Sequence, residues 1–163
     1  PLTSVVAEDV INGGCSLRVE MWTLNESGLA AATGNTLVPS WTASPDTPLH
    51  SHAIFDNVNQ MMPIGASTKS KVAGHSPNPV PMAPVATSNG DMVIGAVAAG
   101  VAGTYTAQNG FTLGLTQSKT SGGTAAHGIG HKTANGSSET MSMLGPPSPN
   151  RQAALAIVLK AAN

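Results

Sequence analysis

Apolar and polar residues alternate in several short segments of this chain, which is the period-two pattern of pleated strands with one buried face. In residues 16–24, the alternation places Leu17, Val19 and Met21 on the apolar face. Residues 91–98 are instead almost continuously apolar, which is typical of a central strand covered on both faces. These two patterns predict a strand-rich protein with at least one sheet buried on both sides.

The last segment, residues 151–162, fits either of two regular structures. Its apolar residues could follow one face of a helix, or they could alternate along a strand. A lone terminal helix would fit poorly into a chain whose other segments indicate strands. We therefore predict a strand here.

Turn residues separate the remaining predicted strands. The Asn-Gly pairs at Asn89, Asn109 and Asn135 are typical of hairpin turns, because both central residues of a type I′ turn need positive φ. Pro39 lies within one of the predicted strands and marks it as an edge strand or a bulge. The further strands are predicted at residues 35–42, 49–56, 111–118, 124–133 and 139–144.

Short strands separated by turns at intervals of about 8–12 residues predict an all-β fold, here a two-sheet antiparallel β-sandwich. With 163 residues, the chain is expected to form one domain over residues 1–163. Aromatic residues make up only 3% of the chain, so the core must consist mainly of Val, Ile, Leu, Met and Ala.

The composition narrows the class of function. Only 9% of the residues are charged, against about 25% in an average soluble domain, and the net charge is −1. Nucleic-acid binding is not expected, because it needs clustered Lys and Arg to displace counterions from phosphate. No apolar run approaches the roughly 18 residues of a membrane helix, so membrane insertion is not expected either. The single cysteine, Cys15, is expected to be a small buried apolar side chain.

The order of several motifs resembles a jelly-roll-like β-sandwich domain found in bacteriophage structural proteins and large secreted bacterial proteins. The matching segments are residues 19–24, 57–60, 63–65 and 90–94, followed by an Ala-rich final strand. The resemblance implies a jelly-roll-like sandwich without catalytic residues. It also implies that Trp22 is not an exposed binding residue, either because both sheets are covered or because Trp22 fills the space between them.

The chain departs from that family at its start, where the family has two or three earlier strands. If those strands are missing, the first residues form an open sheet edge that another strand can join. The expected assembly edge is Pro1, Leu2, Thr3, Ser4 and Val5. Because the chain begins with Pro1, we expect it to be the C-terminal part of a longer polypeptide. The alternative is that fewer strands suffice for the fold.

Histidines form the only pattern that suggests a metal site. His50 and His52 share one face of a predicted strand, and His127 and His131 share one face of another. Two adjacent strands could thus supply four imidazole nitrogens to zinc or copper. The alternative is that the two pairs are outward polar positions on unrelated strands, and no cofactor is expected.

The strand alternation places Trp22 and Trp41 opposite the core, where an exposed indole could stack on a sugar ring. No nucleophile motif or phosphate-binding loop is present, and the only close pair of carboxylates in the sequence, Glu8 and Asp9, does not suggest a catalytic pair, so an enzyme is not expected. The sequence predicts a structural module of a virion or of an extracellular bacterial surface structure or filament. Its expected partners are copies of itself or other structural subunits. The alternative is a carbohydrate-binding or adhesive module whose partners are glycans.

Overall fold

The computed structural model describes residues 2–34 and 36–162, and these residues form mainly antiparallel strands. One short helix, α1 (Glu26–Ala30), is present among them. The strands are β1 (Thr3–Asn12), β2 (Cys15–Thr23), β3 (Ile64–Val72), β4 (Val85–Ala86), β5 (Met92–Ala99), β6 (Thr106–Ala107), β7 (Thr112–Lys119), β8 (Ala125–Thr133), β9 (Ser138–Glu139), β10 (Met143–Leu144) and β11 (Gln152–Leu159). The all-β, antiparallel class predicted from the sequence is confirmed.

A five-stranded sheet in the order β3-β11-β5-β8-β7 forms the middle of the molecule. Every residue of β11 is buried, and so are all residues of β5 after Met92. Both faces of these strands are covered, which explains why their sequences are apolar apart from Gln152 at the start of β11. The predicted central strand at residues 91–98 is confirmed, and residues 151–162 contain a strand rather than a helix.

The hairpin β1–β2 covers one face of this sheet. Val10 and Val19 on the inner face of the hairpin pack against Ala96, Ala98 and Leu155 of the sheet. The two sheets therefore form the sandwich that the patterning predicts, and Leu17, Val19 and Met21 lie inward as expected.

The turn of this hairpin consists of Gly13 and Gly14, with φ of 60° and 78°. Two successive positive φ values are the signature of a type I′ turn. Neither β1 nor this turn was among the predicted elements, although Asn12-Gly13-Gly14 carries the same chemistry as the other Asn-Gly pairs.

The other face of the sheet is covered by two short ladders, β4–β9 and β6–β10. Met141, Met143, Tyr105 and Phe111 are buried between this layer and the sheet. The strand predicted at residues 139–144 is wrong in its continuity, because β9 and β10 pair with different partners and are separated by three residues. Met141 and Met143 both face inward, and this alternation is the pattern from which one continuous strand was predicted.

The pairs at Asn89 and Asn109 form turns, but none of the three Asn-Gly pairs forms the predicted hairpin. Asn109 and Gly110 both have positive φ, and the Phe111 N–H donates to Gln108 O at 3.0 Å. The strands on either side, β6 and β7, pair with β10 and β8 instead of with each other. The turn thus reverses the chain between two layers, because a local turn does not decide which strand becomes the partner.

A long connection between β2 and β3, residues 24–63, contains α1 and no strand among its described residues. We call it the connector. The strands predicted at residues 35–42 and 49–56 are therefore wrong as far as the structure describes them. Pro39 has no N–H that could join a strand ladder. The neighbouring Leu37 and Val38 are exposed, so the alternating apolar residues of this segment do not pack against the core.

Cys15 is exposed at the start of β2, contrary to the expectation of a buried thiol. It follows directly after the turn, in a stretch where residues 11–16 are all exposed. Among the described residues, no helix has the length and apolar character needed to cross a membrane.

Candidate functional site

Most of the predicted assembly edge lies at the start of β1. In the described residues, β1 pairs with β2 on one side and with no strand on the other. Leu2, Thr3 and Ser4 are exposed, Val5 is half-buried, and the register shifts between Ser4 and Val6. Pro1, the first residue of the predicted assembly edge, lies outside the described residues.

Further along β1, side chains of β3 occupy the open edge. Lys69 Nζ donates to Ala7 O and Lys71 Nζ donates to Asp9 O, each at 2.9 Å. The same ammonium groups lie 3.3 Å and 2.9 Å from the Glu8 carboxylate. The hydrogen bond from Lys71 is the main reason that the pKa of Glu8 lies below its ordinary value. Edge lysines are a common protection against strand pairing, so the open part of the β1 edge is confined to its first residues.

The five-stranded sheet ends in β3 on one side and β7 on the other, and each pairs with one neighbour. The β7 edge is interrupted by a register shift between Leu113 and Leu115 and ends at Lys119. The β3 edge carries the two lysines described above. Both edges thus have features that limit, but do not abolish, pairing with another chain.

The connector exposes an unusual number of large apolar side chains. Its only charged residues are Glu26, Asp46 and Asp56, and it contains no Lys or Arg. Surfaces of this kind are typical of interfaces, because exposed apolar side chains gain from leaving water. The exposed apolar residues of the connector are Leu24, Leu29, Leu37, Val38, Trp41, Ile54, Met61 and Met62.

Trp22 and Trp41 are each about half exposed, at 47% and 48%. Trp22 lies on the outer face of the hairpin, opposite Ser4, so it does not fill the space between the sheets, which is one of the two arrangements that the resemblance implied. Val10 and Val19 fill that space instead. The alternation-based placement of Trp22, opposite the core, agrees with the structure.

His127 lies under the connector, at the margin of the sheet. It is 9% exposed, and a 3.2 Å hydrogen bond joins its Nε2 to Ser51 Oγ of the connector. Its Nδ1 is buried without a hydrogen-bond partner. Burial lowers the pKa of His127, and the charge of nearby His50 lowers it further. Both effects disfavour the protonated form of the imidazole at this contact.

The structure brings only part of the predicted histidine set together. His50 lies near His127, whereas His52 is exposed on the connector and His131 is half-buried farther along β8. Within residues 2–34 and 36–162, no three His, Cys, Asp or Glu side chains form a group that could hold a metal. The segment around His50 and His52 is not a strand, so the shared face on which the four-nitrogen arrangement depended does not exist.

An open cleft of about 590 Å³ lies beside this contact and is lined by Pro48, Leu49, His50, Gln117, Ser118 and Lys119. The Ser51–His127 pair near it has no acid to orient the imidazole, since His127 Nδ1 has no partner. A serine nucleophile needs an oriented base and an oxyanion site, so this arrangement fits a structural contact better than catalysis.

Asp91 forms a buried cluster that the sequence did not reveal as such. Its carboxylate accepts from Lys160 Nζ at 2.5 Å, from Ser88 N at 2.8 Å and from Ala161 N at 3.1 Å. Burial raises the pKa of Asp91, but the three hydrogen bonds outweigh that effect and the pKa lies below its ordinary value. Asp91, which belongs to the Gly-Asp motif of the resemblance, thus connects the end of β11 to the turn before β5.

Sequence reasoning missed Lys69, Lys71 and Glu8 as the closure of the β1 edge. It also missed the apolar side chains of the connector, because it assigned two strands there. The sequence did contain a signal for this exposed apolar surface. The connector combines turn residues, which are typical of exposed segments, with many large apolar residues and no basic residue.

Comparisons of the chain with models of protein families, with curated proteins and with solved structures found no match.

Proposed function

We propose that this chain is a non-catalytic structural module that assembles with copies of itself or with other structural subunits. Its setting would be a phage particle, or an extracellular bacterial surface structure or filament. The observation that carries the proposal is the open first part of β1, where Thr3 and Ser4 are exposed and no strand of the described residues pairs with the outer side. An unpaired strand edge is a template for another strand.

The charge of the molecule suits close packing of many copies. A net charge of −1 produces almost no long-range repulsion between copies, whereas a large net charge keeps proteins apart. Most Lys and Arg side chains are also used within the molecule, in ion pairs with Asp and Glu.

The edge can be tested with one added charge. Thr3→Lys places an ammonium group at the open edge, where pairing with another strand would bury it. We expect association to weaken by about tenfold or more, as measured by sedimentation velocity over a range of concentrations. Ser121→Lys adds the same charge in the exposed turn between β7 and β8 and should leave association unchanged. Equal weakening in both variants, or no association of the unmodified chain, would contradict the proposal.

A second candidate is a carbohydrate-binding or adhesive module, which is favoured by the half-exposed indoles of Trp22 and Trp41. Exposed aromatic rings can stack on the apolar face of a sugar. A glycan array, followed by titration of any hit, would test it. Binding should be lost in Trp41→Ala and kept in Leu144→Ala, which truncates a similarly exposed residue on β10. Absence of any bound glycan would remove this candidate.

A further inference from the structure

We propose that Asn135 is a site of spontaneous modification, at which the side-chain amide is converted to a carboxylate through a cyclic succinimide. The reaction needs no enzyme and consumes only water, and the site is independent of the proposed assembly. Asn135 is followed by Gly136, and the hydrogen bonds that restrain the other Asn-Gly pairs of the chain do not restrain this one.

The chemistry of an Asn-Gly pair begins with the backbone nitrogen of the glycine. This nitrogen attacks Cγ of the asparagine side chain and forms a new C–N bond. The bond from Cγ to the side-chain nitrogen breaks, and ammonia leaves with the proton of the glycine N–H. Water then adds to one of the two imide carbonyls and opens the ring to aspartate or isoaspartate. Glycine favours the attack because it has no Cβ to obstruct the approach of its nitrogen.

The chain contains four Asn-Gly pairs, and all four asparagines are exposed. Access to water therefore does not distinguish them. The attack requires the asparagine side chain and the next backbone nitrogen to turn towards each other. A hydrogen bond that holds either group must break first, and each such bond slows the reaction roughly fivefold. The four asparagines are Asn12, Asn89, Asn109 and Asn135.

Two of the pairs are restrained at the asparagine side chain. The Asn12 amide donates to Asn150 O at 2.6 Å, which ties the tip of the β1–β2 hairpin to the loop before β11. The Asn109 amide donates to Thr140 O at 3.4 Å, and this asparagine also lies in the turn before β7 with a φ of 53°. In both cases the group that must rotate for the attack is bound to another segment.

The pair at Asn89 is restrained at the attacking nitrogen. The Gly90 N–H donates to Ala134 O at 3.0 Å, and the Asp91 N–H closes the turn by donating to Ser88 O at 3.1 Å. The nitrogen of Gly90 cannot reach Cγ of Asn89 unless this turn separates from residue 134.

Asn135 and Gly136 lie in an exposed bend between β8 and β9. Within residues 2–34 and 36–162, neither the Asn135 amide nor the Gly136 N–H has a hydrogen-bond partner. The bonds that do hold the bend involve carbonyl groups. Gly136 O accepts from Thr87 Oγ1 at 2.8 Å, and Ser137 O accepts from the Thr87 N–H at 3.0 Å. Both reacting groups are thus free, and Asn135 reacts first.

The isoaspartate product changes the backbone as well as the charge. Its chain runs through the former side chain, which inserts one extra carbon between residues 135 and 136. Gly136 O and Ser137 O then shift away from Thr87, the residue that directly follows β4. The reaction therefore loosens the junction between β4 and β9 and adds one negative charge to a molecule of net charge −1.

Timed incubation of the full chain at physiological temperature and mildly alkaline pH, followed by tandem mass spectrometry of tryptic peptides, tests the site. We expect residue 135 to gain about 1 Da at least roughly fivefold faster than residues 12, 89 and 109. Fragment ions assign each site within the tryptic peptides 1–18, 72–119 and 133–151. The same chain unfolded in urea is the control, in which the four pairs should react within about twofold of one another. Equal rates at the four pairs in the folded chain, or a faster reaction at another pair, would overturn the inference.

Gly136→Ala is the matched variant. An added Cβ at Gly136 would meet no atom within 4 Å, so the fold tolerates the methyl group, which obstructs the approach of the backbone nitrogen to Cγ of Asn135. We expect the reaction at Asn135 to slow at least about tenfold. The control Gly34→Ala adds a methyl group at another position with open space and should leave the rate at Asn135 unchanged. A reaction at Asn135 that proceeds at the original rate in Gly136→Ala would show that the proposed attack does not occur.

Discussion

His127 is the titratable residue at the contact between the connector and the sheet. One ring nitrogen contacts Ser51 Oγ and the other is buried without a partner, so a second proton would be buried without an acceptor. Burial is the main reason that the pKa of His127 lies below its ordinary value, and His50 adds to the effect. The protonation state of this one residue thus bears on how firmly residues 48–52 rest on β8.

The sign of the pH effect follows from that shift. The folded pKa of His127 lies below its unfolded value of about 6.5, so unfolding favours protonation. The stability that neutral His127 contributes is full above about pH 6.5 and is lost as the pH falls through the folded pKa. We expect His127→Gln to reduce the loss of thermal stability between about pH 7.5 and pH 5, measured by scanning calorimetry.

The matched control for this prediction is His52→Gln, which removes an exposed histidine of the same segment. It should leave the pH dependence of the unfolding temperature unchanged. Hydrogen exchange of residues 49–52 provides a local readout, and its protection relative to the intrinsic rate at each pH should fall at the lower pH in the unmodified chain. Identical pH profiles for the unmodified chain and His127→Gln would contradict the account.

At the scale of elements, glycines in the central sheet let the ladder layer approach closely. A side chain at Gly95 of β5 would collide with the side chain of Met141, and one at Gly128 of β8 would lie 2.9 Å from Tyr105. Met141 and Tyr105 are themselves almost fully buried, so they have little room to move. Strand glycines here mark close approach of the second layer.

We expect Gly95→Ala to lower the free energy of unfolding by about 1–3 kcal/mol, the usual cost of overpacking a core. Chemical denaturation monitored by fluorescence or circular dichroism measures the change. Gly114→Ala on the β7 edge is the control, because its Cβ would lie at an ordinary contact distance of 3.5 Å from Ile129 O. A loss at Gly95 no larger than at Gly114 would show that the layer does not pack as described.

The predicted segments that became strands are those of β2, β5, β7, β8 and β11, of which the sheet buries one or both faces. The strand β3 was not predicted although burial alternates along it, because its inward positions include Thr68 and Ser70. The ladder strands have two residues each, which is too short for any periodic pattern. In the connector, the apolar residues near Pro39 alternate as they would in a strand. Within the described residues, however, they pair with no strand and pack against no core.

At the scale of the whole molecule, a tightly packed sheet is combined with a connector that exposes much of its apolar surface. The resemblance predicts an open edge at the first residues, but β1, the strand that carries them, was not predicted. The exposed apolar side chains of the connector could not be predicted, since apolar residues in a sequence predict burial. The prediction considered two adjacent strands that would bring the histidines together. In the structure, a loop and a strand bring His50 near His127.

The central claim is that this chain is an assembly subunit. Size-exclusion chromatography with light scattering of the unmodified chain, at rising concentration and near-physiological salt, tests it most directly. The account predicts a molar mass that rises with concentration to multiples of 16.3 kDa. A mass that stays at 16.3 kDa at every concentration would contradict it.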